Sequence, residues 1–194
     1  MFNYGRGGAI LLVRENKDNW KESIKEIPYE NKYLSKYTYG EIFSKYETYK
    51  EFNDMVQEQR ELLPLERESF KNKLSSRYSA ALKALNAISN LTTIDGATVL
   101  SENLNVLGFG VKIGAKEIKE IAITEPFENS EVKRINKSDW KVGTRHTSAA
   151  EFINEQRDSL AIVVSEDRKV SIISWDEELQ LVKITKNFEW MIFD

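Results

Sequence analysis

The sequence predicts an α/β chain in which a mixed central β-sheet is flanked by helices. Three observations predict it. An unbroken apolar run, Ala9-Ile10-Leu11-Leu12-Val13, stands near the start. Apolar residues then recur at helical spacing as far as Ile88. Beyond Ile88, short β-type runs alternate with turns.

Residues 8–13 read as a buried strand, because no polar side chain interrupts the run. Residues 19–27 read as a short helix with Trp20, Ile24 and Ile27 on one face, ended by Pro28. Between Glu30 and Glu61, the spacing of Ile42, Phe43, Tyr46, Tyr49, Phe52 and Val56 predicts an amphipathic helix, which Pro64 breaks. A second helix follows, with Leu74, Tyr78, Ala81, Leu82, Leu85 and Ile88 as its apolar stripe. These helices are read as packing the sheet, with a coiled-coil partner surface as the alternative.

The β-type runs are Ala97–Leu100, Val106–Ile113, Glu120–Thr124, Ser159–Ser165, Val170–Ser174, Gln180–Ile184 and Phe188–Phe193. Only Thr147–Arg157 reads as a helix in this half. Residues 1–194 are expected to form a single domain, with a helical N-terminal part at about 19–90 and a site-bearing half at about 91–194. Gly5-Arg6-Gly7-Gly8 runs straight into the first strand and reads as the cut edge of a longer protein, whose C-terminal part this would be.

Composition narrows the function classes. The chain is 41% hydrophobic and 30% charged, which suits a globular core. Without any cysteine there is neither a disulfide framework nor a thiolate metal site, and a reducing cytoplasm is the expected compartment. No apolar run approaches the length needed to span a bilayer, so no membrane partner is expected. The net charge is −3, from 28 basic and 31 acidic side chains. Nucleic-acid binding ordinarily needs a strongly basic face, so a small molecule is the expected partner. One histidine and no cysteine argue against zinc. There is no nucleophile elbow, and Gly5-Arg6-Gly7-Gly8 lacks the Gly-Lys-Ser/Thr ending of a Walker loop. That glycine-rich segment could serve close backbone packing, or add an anion contact through Arg6.

Three segments carry candidate chemistry. Thr93-Ile94-Asp95-Gly96-Ala97 is a turn pair before a strand: Gly96 tolerates positive φ, and the Asp95 carboxylate could hold a divalent cation. Gly143-Thr144-Arg145-His146-Thr147-Ser148 leads a polar loop into a helix, where free N–H groups favour anions. Arg145 adds a bidentate fork for phosphate. The plainer reading of this loop is an N-cap by Thr147 or Ser148. The third segment is a buried strand ending in Ser165-Glu166-Asp167, at the kind of strand end where α/β sheets collect ligands, though a solvated turn is the default.

In this order, Asp95-Gly96-Ala97, Gly143-Thr144-Arg145-His146 and Val163-Val164-Ser165-Glu166 resemble the motifs of the diadenylate cyclase (DAC) domain, over roughly residues 80–175. Nearly the whole chain is similar to a DAC-like subgroup described as a sensor domain, DACNV. That likeness runs through Gly5-Arg6-Gly7-Gly8-Ala9, Asp95-Gly96-Ala97-Thr98-Val99-Leu100, Leu107-Gly108-Phe109-Gly110-Val111-Lys112-Ile113 and Gly143 to Ala150.

The resemblance implies a site for adenine nucleotide made of Asp95, Gly96, Ala97, Gly143, Thr144, Arg145, His146, Thr147, Ser165 and Glu166. In the enzymes, two ATP molecules meet across a homodimer and become cyclic di-AMP, with Mg²⁺ or Mn²⁺ offsetting phosphate charge. Asp95 would then be the catalytic carboxylate, and Asp95 with Glu166 would serve the metal. A homodimer is the implied assembly.

The chain departs from the enzyme pattern. Thr147 stands where the motif has a second arginine, and losing a charge-assisted contact costs on the order of 1.5–3 kcal/mol. In a transition state that is roughly ten- to a hundredfold in rate. Asp167-Arg168-Lys169 replaces Glu-Thr-Gly, and Pro126 to Trp140 follows no enzyme pattern. The expectation is therefore a nucleotide sensor with weak or no cyclase activity. An active diadenylate cyclase and a ligand-free interaction module are the alternatives.

Overall fold

A computed structural model describes residues 7–30, 50, 64–127, 130–140 and 142–189. In chain order the elements are β1 (Gly8–Val13), a 3-10 helix (Asp18–Ser23), β2 (Ile24–Glu26), β3 (Tyr29–Glu30) and the long helix α1 (Pro64–Leu91). Then come β4 (Ala97–Ser101), β5 (Val106–Ile113), β6 (Glu120–Thr124), β7 (Lys133–Asn136) and a 3-10 turn (Lys137–Asp139). Helix α2 (Thr144–Glu155) and strands β8 (Leu160–Val164), β9 (Val170–Asp176) and β10 (Leu181–Thr185) complete the series.

Among the described residues, ten strands form one sheet in the order β2-β5-β4-β1-β8-β9-β10-β6-β7, with β3 also on β5. β1 runs parallel to β4, and β6 parallel to β10, while the other pairs are antiparallel. The predicted mixed α/β sheet is therefore present.

β1 lies inside the sheet and is covered on both faces, which explains its unbroken apolar run. Because strand side chains alternate, Ala9, Leu11 and Val13 join the main core with Ala149, Ala150, Phe152 and Ile153 of α2. Ile10 and Leu12 point the other way, onto Ile88 and Leu91 of α1 together with Leu100, Val106 and Phe109.

Several sequence expectations change here. The helix predicted over 19–27 is a 3-10 helix that stops at Ser23, and Ile24 opens β2 opposite Ile113. The free edge of β5 offers backbone partners that a short helix would forgo. Trp20 is buried as expected.

α1 is described over Pro64–Leu91. Its predicted stripe, where described, packs the sheet only in part. Ile88 is buried, but Leu82 and Leu85 remain 40% and 46% exposed. The side chains of Leu74, Tyr78 and Ala81 lie outside the described residues, as do the apolar residues of the helix predicted between Glu30 and Glu61. The helix that covers the main core is instead α2, which starts at Thr144 rather than Thr147.

β7 was not foreseen. Its sequence, Lys133-Arg134-Ile135-Asn136, has no apolar alternation, and it forms by pairing along the outer edge of β6. Phe188 begins a turn rather than a strand, and the end of that predicted run lies outside the described residues. No helix among the described residues is long and apolar enough to cross a membrane.

Candidate functional site

Strand direction brings the three segments together. Ala9 pairs with Ala97 in the parallel ladder, and Gly8 pairs with Val164 in the antiparallel one. The start of β4, the start of β1 and the end of β8 therefore share one edge of the sheet. The residues just outside that edge are Asp95-Gly96, Gly7 and Ser165-Glu166. Gly7 makes the junction possible: a Cβ there would stand 2.5 Å from the Val164 carbonyl oxygen. The close-packing role expected for the N-terminal glycines thus holds at Gly7, whereas Arg6 lies outside the described residues.

The Asp95-Gly96 turn is held against β5. Gly96 has φ +110°, and a Cβ on it would lie 2.5 Å from the Gly110 carbonyl carbon. Gly110 itself has φ +68°, at a register shift between β4 and β5. Both positions lie where L side chains are rarely found. β5 next presents Lys112, whose ammonium donates to the Asp95 carboxylate. Asp95 is otherwise open, with 87% of its side chain exposed. The bond from Lys112, reinforced by the charge of Arg145, holds its carboxyl below the usual carboxylate range.

α2 opens at the same edge. Its N-cap is Gly143, which has no side chain to accept from the first turn. The N-cap expected from Thr147 or Ser148 is therefore absent, because both residues lie within the helix. Gly143 has φ −67°, and a Cβ on it would meet nothing within 4 Å. Neither backbone conformation nor internal crowding calls for glycine there. What glycine leaves is open space before the helix N–H groups, where an anion is favoured.

Arg145 stands at the meeting point. Its guanidinium lies 3.9 Å from Glu166, is 38% exposed, and acts electrostatically on Asp95. Two hollows share Arg145 and Thr144. The larger, of about 730 Å³, also takes in Gly143, His146, Ser165, Glu166 and Lys186. The smaller, of about 310 Å³, takes in Asp95, Gly96, Ala97, Lys112 and Ser148. Both volumes fall at the scale of small-molecule pockets.

The two hollows together carry four basic and three acidic side chains, a net charge of +1 in a chain that is acidic as a whole. Arg145, Lys169 and Lys186 face Glu166 and Asp167 in the larger hollow, while Lys112 and Arg145 face Asp95 in the smaller. His146 is half-buried, with Nε2 3.1 Å from the Ser171 hydroxyl. Burial, then the charge of Lys186, lowers its pKa below the ordinary histidine value, so the ring is neutral near pH 7. Ser165 is built into the β8–β9 turn: its hydroxyl donates to Asp167 and accepts from the Lys169 N–H at 3.1 Å.

Of the residues singled out from sequence, Asp95, Gly96, Ala97, Gly143, Thr144, Arg145, His146, Ser165 and Glu166 line one hollow or the other. Thr147 lines neither. Lys112, Ser171 and Lys186 were missed as site residues, whereas Ser148 of the candidate loop lines the smaller hollow. Lys112 follows Asp95 by seventeen positions and reaches it only because β5 pairs with β4, so no local pattern marks it.

The residues present do not by themselves, without phosphate oxygens from a ligand, fit a resident divalent cation. Such a cation takes several oxygen ligands, carboxylates foremost. Asp95 is the one acid among the residues lining the smaller hollow, and it already holds an ammonium. Glu166 faces Arg145, and no cluster of three histidine or carboxylate side chains occurs among the described residues. No family model, curated protein or solved structure matches the chain.

Proposed function

We propose that this chain is a nucleotide-binding sensor domain of diadenylate cyclase-like type, taking ATP, cyclic di-AMP or a related adenine nucleotide at the edge where β1, β4, β8 and α2 meet. The observation that carries the reading is the position of Arg145, at the uncapped start of α2 and common to two hollows. Phosphate groups would lie against the α2 N–H groups and the guanidinium, a charge-assisted and bidentate contact. In the larger hollow the half-buried Val142 offers apolar surface for a base or sugar. The adenine is carried by the resemblance alone.

Binding without turnover is favoured over catalysis. A carboxylate expected to activate a hydroxyl should be free to take a proton, whereas Asp95 is engaged by Lys112 and made less basic. Thr147 lines neither hollow. Signalling would pass from the occupied site to a partner or a neighbouring domain.

The test is a calorimetric titration of the chain with ATP and with cyclic di-AMP. Binding is expected with either, and Arg145→Ala is expected to abolish it. Affinity that survives the substitution would refute the assignment of the phosphate site. Mass spectrometry after incubation with ATP and Mn²⁺ is expected to find no cyclic di-AMP, and its appearance would make the chain a cyclase. The absence of a thermal shift with any nucleotide would favour the interaction module.

A further inference from the structure

We infer that Lys112 occupies the place of the divalent cation in this site, so that phosphate binding beside Asp95 is metal-independent. The inference rests on the nucleotide reading above. Its starting point is the direct bond from the Lys112 ammonium to the Asp95 carboxylate, across the β4–β5 ladder. Both side chains line the smaller hollow together with Thr144, Arg145 and Ser148.

A divalent cation at Asp95 would have to displace this ammonium and then sit beside the guanidinium of Arg145. It would gain a single carboxylate from the lining residues for that repulsion. Mg²⁺ in particular gives up its water reluctantly and is held through carboxylates and phosphate oxygens together. The ammonium has no such requirement. It carries three donors, of which Asp95 engages one, and the others can reach oxygens of an anion lodged in the same hollow. Asp95 then acts as a positioning residue that holds Lys112 at the hollow, rather than as a metal ligand.

The charges suit a polyanion without metal. Within the smaller hollow Lys112 and Arg145 exceed Asp95 by one positive charge, Glu166 facing Arg145 from the larger hollow, and the start of α2 adds its own partial charge. Thr144 and Ser148 supply hydroxyl donors beside them.

The experiment is a titration of the full chain with ATP and with cyclic di-AMP, once in EDTA and once in excess MgCl2. Wild-type affinity in EDTA is expected to equal or exceed that in MgCl2. Lys112→Ala is expected to lose at least about tenfold in affinity in EDTA, a difference well above titration error. Its circular dichroism and melting curve should match wild type, since the Lys112 side chain is 40% exposed. Wild-type binding that requires Mg²⁺ would overturn the inference while leaving the nucleotide reading intact. So would a Lys112→Ala chain that binds in EDTA as tightly as wild type. A wild-type chain that binds neither nucleotide under either condition would overturn both.

Discussion

Helices α1 and α2 show that length and anchorage are different properties. α1 has 28 residues, yet the one side chain among those described that it buries is Ile88, near its end. α2 has 12 residues and buries Ala149, Ala150, Phe152 and Ile153 completely. A helix held this way has a fixed N-terminus, and that is the end from which Thr144 and Arg145 reach the site. A group that must meet an anion within hydrogen-bond distance belongs on the anchored helix. α1 presents Leu65, Leu82 and Leu85 to solvent instead.

The strongest test of this contrast is Phe152→Ala. Phe152 has no exposed surface, and removing it should cost about 3–5 kcal/mol in urea-induced unfolding. A loss under about 1 kcal/mol, typical of a site free to collapse or already loose, would show that α2 is not the anchor. Arg145→Ala probes the other end of the same helix and should separate stability from binding. Its pair with Glu166 spans 3.9 Å at the surface, so unfolding should shift by no more than about 1 kcal/mol while nucleotide affinity is lost. A large loss of stability would make Arg145 a structural residue.

His146 sharpens the comparison through pH. It lies in the first turn of α2 and is the chain's only histidine. Because its folded pKa is lowered, the unfolded chain takes up the proton first as pH falls. The stability linked to its neutral form is complete above about pH 6.5 and is lost as pH drops below that value. His146→Gln should flatten the stability profile between about pH 7 and pH 5.5, whereas wild type should decline there. Parallel profiles would mean that the imidazole is not held neutral by the fold.

The smallest effect is expected in α1. Leu85→Ala should change stability by no more than about 0.5 kcal/mol, as for other surface positions. A cost of several kcal/mol would mean that this face of α1 is covered in solution, and the contrast between the two helices would fail.

Much of this was legible in the sequence, for reasons that particular residues make plain. The run from Ala9 to Val13 announced a strand buried on both faces, and alternation then divided it between two cores. Val106–Ile113 and Glu120–Thr124 were bounded by their own polar flanks. Asp95-Gly96 announced a turn, and Gly96 adopts the positive φ that such a turn uses. Other features carried no local mark. β7 is polar and exists because β6 had a free edge. Ile24 could continue a helix or open a strand, and β5 decided between them.

Residue types and spacing thus determined the apolar strands β1, β4, β5, β6, β8, β9 and β10, the polar opening of α2 and most of the chemical inventory of the candidate site. Tertiary structure alone decided that β1 lies parallel to β4 and antiparallel to β8, which brings Asp95 and Glu166 to one edge, and that α2 packs so that Arg145 meets them there. It also decided that the partner of Asp95 is Lys112. The physical reason is locality. Period and turn chemistry act within a few residues, whereas register and the choice of neighbour depend on backbone groups far apart in the chain, whose pairing no short stretch of side chains encodes.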